Sequence, residues 1–109
     1  MIRYEVRLTV DPARAEAVEL YMTSRHIPEI LATGCFVRAQ FDRGEEGGFR
    51  TTYLTRGMAD FDRYLTEFSP HFRAAFLQEF PAGVSIVREL WTEVAHWPWR
   101  DPEGGASAG

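Results

Sequence analysis

Three histidines, His26, His71 and His96, can exchange a proton near neutral pH without a special environment. His26 stands out by its setting, Arg25-His26-Ile27-Pro28-Glu29, where a helical pattern runs into a proline. At a pocket mouth it would be a general acid/base. Near a helix end it would equally hold the carbonyls that Pro28 frees, favoured there by the helix dipole. Glu29 lies three residues on and shares a helix face with His26. A metal needs three or four ligands, however, and Pro28 distorts this spacing. His71 follows Pro70 in the first turn of a helical segment, where a solvated residue is the plain reading. No metal site is expected.

Cys35 is the single cysteine, which excludes an internal disulfide and a zinc site built from several cysteines. Lysine is absent; all 12 basic residues are arginine. That excludes a phosphate loop of the GKS/GKT type, a Schiff-base lysine and covalent pyridoxal phosphate. Gly44-Glu45-Glu46-Gly47-Gly48 joins two strands and is itself acidic, so it reads as a hairpin loop and not as a phosphate cradle. No cofactor is expected.

Candidate binding residues fall in two groups. Arg3 and Glu5, with Arg7, share one face of the first strand. Lining an interior surface they would orient a carboxylate or a polyketide-like oxygen; otherwise they form an ion-paired strand face. Phe68 and Phe72, beside the Ser69-Pro70 interruption, would wall an apolar pocket to which Tyr53 and Tyr64 bring hydroxyl groups.

The elements that position these residues follow from periodicity. Ile2, Tyr4, Val6, Leu8 and Val10 alternate with polar residues, the signature of a strand with one apolar face. Asp11-Pro12 opens a helix, as N-cap and first helical residue. Pro28 should disturb it near Ser24 to His26, and Gly34 suits its left-handed end. Strands are expected over 35–41 and 49–55, joined as a hairpin. A second helix opens at Gly57-Met58. Phe61, Tyr64, Leu65, Phe68, Phe72, Phe76 and Phe80 recur at three or four residues and make a core stripe, with a break or kink at Ser69-Pro70. A last strand is expected over 84–94. The order β-α-β-β-α-β gives an α+β, ferredoxin-like fold: a four-stranded antiparallel sheet with two helices on one face. On the last strand both alternating sets carry large apolar groups, so part of the second sheet face should be covered, most simply by a second copy of the chain.

With 109 residues the chain is one domain's worth. We place the domain at 1–95 and a C-terminal extension with a flexible tail at 96–109. In that extension Trp97 and Trp99 flank Pro98, and both are expected to pack on the partner or lid its pocket. No run of about 18 apolar residues is present, so no membrane span is expected. The N-terminus alternates where a signal peptide would be basic and then apolar, which points to the cytoplasm. A net charge of −4 without a basic stripe argues against nucleic acid as a partner.

The segment His26-Ile27-Pro28-Glu29-Ile30-Leu31-Ala32-Thr33-Gly34-Cys35-Phe36 resembles the HIPEVLATGCF segment of a bacterial domain family of unknown function in the dimeric α+β barrel superfamily. Gly47-Gly48, Met58 to Leu65 and Phe68-Ser69-Pro70 extend the likeness to roughly residues 1 to 94. The resemblance implies a homodimer whose sheets face each other, with pockets between each sheet and its helices. Related families include antibiotic-biosynthesis monooxygenases, isomerases, polyketide cyclases and haem-binding enzymes. The haem-degrading members use an Asn on the first strand and a Trp and a His on the second helix. The matching positions here hold Glu5, Tyr64 and Ala74, which argues against that activity. Two functions stand open. One is a small-molecule-binding homodimer for an apolar or aromatic ligand, as a cofactor-independent isomerase, cyclase or monooxygenase-like enzyme with His26 as acid/base. The other is a non-catalytic structural or regulatory dimerisation module.

Overall fold

The computed structural model describes residues 1–98. Trp99 and the expected flexible tail lie outside the described residues. Strand β1 (Ile2–Val10) is central. It pairs antiparallel with β3 (Phe49–Thr55) on one side and β4 (Val84–Thr92) on the other. Strand β2 (Arg38–Arg43) pairs with β3, giving the sheet order β2-β3-β1-β4. Helix α1 (residues 12–31) follows β1, and helix α2 (residues 58–79) follows β3. Both cover the same sheet face, as the alternation of β1 requires. Ile2, Tyr4 and Leu8 are buried, and Tyr4 and Leu8 pack with Val18, Phe61, Phe72 and Phe76 beneath the helices. This is the expected ferredoxin-like α+β arrangement.

Asp11 caps α1 through its side chain, which accepts from the Ala13 N–H at 3.1 Å. The prolines do not break the helices. Residues Met22–His26 form a π turn ahead of Pro28, and Tyr64–Phe68 form another ahead of Pro70. In each, the residue before the proline bonds five residues back: Ile27 N–H to the Met22 carbonyl, Ser69 N–H to the Tyr64 carbonyl. Widening the helix by one residue makes room for a ring that carries no N–H. Ser69 is buried within α2 and makes no capping hydrogen bond.

Two strand boundaries differ from the sequence pattern. Strand β2 starts at Arg38 and not at Cys35. Cys35 and Phe36 are buried in the connection after α1, which Gly34 ends at φ +78°. The Cys35 backbone is already engaged: its N–H donates to the Thr33 hydroxyl at 3.3 Å and its carbonyl accepts from the Thr55 hydroxyl at 2.9 Å. Pairing starts only with Val37 N–H to the Leu54 carbonyl, 2.8 Å. Strand β4 stops at Thr92 and not at Val94, because its partner ends there: Thr92 lies opposite Ile2.

Candidate functional site

Register decides which side chains meet. On β4, Ile86, Arg88 and Leu90 stand opposite Leu8, Val6 and Tyr4, and so face the helices. On β3 the same face carries Tyr53, opposite Tyr4. Between this face and the two π turns lies a cavity of about 40 Å³. Met22, His26 and Ile30 line it from α1, Tyr64, Phe72, Arg73 and Phe76 from α2, and Tyr4, Tyr53 and Arg88 from the sheet.

His26 sits in an aromatic nest. Its ring centre is 5.6 Å from Tyr21 and from Phe76, and 6.0 Å from Phe72. Its Nδ1 is buried and finds no hydrogen-bond partner among the described residues. Burial, helped by the positive charge of Arg88, pushes its pKa down from 6.5 to about 4, so the imidazole is neutral at pH 7. His26 makes no capping bond, and the helix continues for another five residues through Leu31. The helix-end reading of this histidine therefore has no contact behind it. Burial pushes the Tyr53 and Tyr64 hydroxyls well above the usual phenol range, which keeps both as protonated donors. The cavity thus gathers a neutral imidazole and two phenol hydroxyls beside the charged Arg73 and Arg88, walled by rings.

Of the residues singled out in the sequence, His26, Tyr53, Tyr64 and Phe72 meet here. Phe68 does not; it is half-buried beside the cavity under the Arg63 guanidinium, 6.0 Å from its ring centre. Arg3 and Glu5 lie on the opposite, helix-free face. There Arg50 reaches Asp42 at 3.2 Å and Glu5 at 3.9 Å, and the Trp91 indole N–H donates to Glu5 at 3.0 Å. Arg7 pairs with Glu89, and Arg3 with Glu93 at 3.9 Å. Of these, Arg3, Glu5, Arg50, Trp91 and Glu93 border an open groove of about 790 Å³ that also includes Trp97. Glu29 turns to solvent toward Arg25, 3.9 Å away. Among the described residues no group of three or more His, Cys, Asp or Glu side chains is placed to hold a metal. No helix among them is long and apolar enough to cross a membrane.

Arg73 and Arg88 were missed as site residues. Arg88 carried a signal, a charge inside the run Val84, Ile86, Arg88, Leu90 that faces the helices. Arg73 carried none, since it simply follows Phe72 in the stripe.

Residues 1–94 match a family described as a domain of unknown function, DUF4286. No curated protein matches the chain. Several solved structures share its fold. SnoaB, a cofactor-independent oxygenase from Streptomyces nogalater, is 20% identical with a TM-score of 0.67, over 90% of this chain and 97% of that one. HapK from Hahella chejuensis is 14% identical with a TM-score of 0.71, over 93% and 100%. An antibiotic biosynthesis monooxygenase is 13% identical with a TM-score of 0.62, over 87% and 100%. At such identities the likeness is one of fold, and function has to be argued from the site. The match over residues 1–94 is a match of sequence, and by it the chain belongs to the DUF4286 family.

Proposed function

We propose that this chain is a homodimeric small-molecule-binding protein and that the cavity between helices and sheet is the site of cofactor-independent proton transfer. The observation that carries this reading is the buried, partnerless Nδ1 of His26, a residue that lines the cavity together with Tyr53 and Tyr64. A buried polar atom without a partner costs the fold about 1–3 kcal/mol, so its place against a cavity favours a use for it. His26 would take a proton from a carbon or phenol acid, and a tyrosine hydroxyl would donate to the oxygen on which charge develops. A ligand's negative charge would raise the imidazole pKa toward its ordinary value and strengthen the base.

The helix-free face supplies the dimer surface. Val87 is 52% exposed and Trp91 53% on a sheet face with no helix over it, and Trp97, beyond the end of β4 and in the groove on that face, is 83% exposed. A second copy related by a two-fold axis would bury these groups and bring Arg3 and Glu5 into the interface.

The cavity volume favours one rival reading. About 40 Å³ admits a single water-sized guest, as expected of a non-catalytic dimerisation module with a packing defect. Methyl and imidazole NMR of the whole chain separates the two. Small planar compounds that shift Met22, His26 and Tyr64 signals together support a binding site. A library that leaves all three unmoved overturns it.

A further inference from the structure

We infer that the cavity beside His26 takes a small planar carboxylic acid, with its ring against the aromatic wall and its carboxylate on the guanidinium groups of Arg73 and Arg88. The inference deepens the proposed function and rests on the cavity being a binding site.

Two arginines from separate elements, α2 and β4, reach this one cavity. On the helix-free face Arg3, Arg7 and Arg50 each have a carboxylate partner, while Arg38 has none among the described residues but shares its groove with Glu5 and Glu93. Arg73 and Arg88 have none among the described residues, and no Asp or Glu lines the cavity. Arg73 and Arg88 line the same cavity as His26 and Tyr64. Both side chains are exposed, so their guanidinium groups are open to an incoming anion at this lining. The planar fork of arginine matches a carboxylate through two parallel hydrogen bonds.

The rest of the wall selects the body of the ligand. Rings of His26, Phe72, Phe76 and Tyr64 favour a flat apolar group over a hydrated one, which disfavours free phosphate. Size sets a condition. An apolar cavity that accepts benzene measures about 150 Å³, well above the present volume. Entry therefore requires a side chain to yield, and Met22, unbranched with three rotatable bonds, is the wall residue most able to do so.

The test titrates benzoate and its neutral isostere benzamide into the full chain, reading the Met22 methyl and His26 imidazole signals. Benzoate should bind at least about tenfold tighter than benzamide, as expected when charge-assisted bonds replace neutral ones. The double variant Arg73→Met, Arg88→Met keeps the aliphatic stems of two exposed side chains. It should lose that preference, benzoate falling to the affinity of benzamide. Equal affinities, or a preference that survives in the double variant, would overturn the acid while leaving the cavity as a site. Inorganic phosphate displacing benzoate at equal concentration would reduce the pair to a general anion site and overturn it too. If neither compound moves the cavity signals, this inference fails, and the proposed function falls with it only if the wider library of planar compounds is silent too.

Discussion

Acidification should expose His26 as a pH-sensitive weakness of the fold. The imidazole titrates at 6.5 when free and at about 4 in the folded chain. A depressed pKa means that the unfolded state binds the proton first, so stability is lost as pH falls from 6.5 toward 4. The full difference is worth about 3 kcal/mol. The window from pH 7 to pH 5 is the informative one, because most carboxylates remain ionised there. At pH 7 the penalty is about 0.2 kcal/mol, and at pH 5 it reaches about 2 kcal/mol. The control is His26→Phe, which keeps an aromatic ring among Tyr21, Phe72 and Phe76 and removes the group that titrates. Urea unfolding of both proteins, at one protein concentration, should show the native chain losing about 2 kcal/mol more than the variant between pH 7 and pH 5. Their stabilities falling in parallel, or a His26 imidazole signal with a midpoint near 6.5, would refute the reasoning, since the ring would then be solvated.

Other outcomes follow from contacts elsewhere. Trp91→Ala, on the exposed side of β4, should convert a dimer to monomer at micromolar concentration in sedimentation runs while the circular dichroism spectrum is kept. A variant that remains fully dimeric would place the interface elsewhere. Thr55→Val leaves the Cys35 carbonyl without its buried partner, costing about 1–3 kcal/mol, and should speed labelling of the Cys35 thiol by a maleimide. Gly48→Ala should cost more than about 1 kcal/mol by thermal melting, because φ is +77° and the new Cβ would lie 2.6 Å from the Leu8 carbonyl oxygen. Gly57→Ala meets no atom within 4 Å and serves as its mild counterpart.

The sheet was legible because β1 alternates without fault and its partners must repeat that alternation in register. The same rule placed Arg3 and Glu5 on one face and Tyr4 on the other, yet periodicity alone does not say which face holds a site. The structure separates them from His26 by the thickness of the sheet. The start of β2 was not legible, since Cys35 and Phe36 look like strand residues and only the hydroxyls of Thr33 and Thr55 hold them out of the ladder. The prolines were read as interruptions because their missing N–H is a local property. Whether a helix breaks or widens depends on what lies beneath it, and here both helices have a core to stay on.

That widening bears directly on the site. The π turns occupy Met22–His26 and Tyr64–Phe68, and three of the cavity's polar or adaptable residues, Met22, His26 and Tyr64, belong to them. One residue of α-helix is a rotation of about 100°, so removing the extra residue from either turn would swing the helix ahead of it by about that angle relative to the helix beyond. A regular helix could not keep both Ile30 and the residues before His26 on the sheet. The proline in each helix thus makes the wide turn cheap at the point where the cavity needs it. Against this stands the imidazole itself, whose buried Nδ1 weakens the fold and whose replacement by a phenyl ring should leave the protein at least as stable at pH 7. A side chain that packing would replace, held by a turn that spacing alone would not produce, is hard to explain by stability. The binding role proposed for the cavity would account for both.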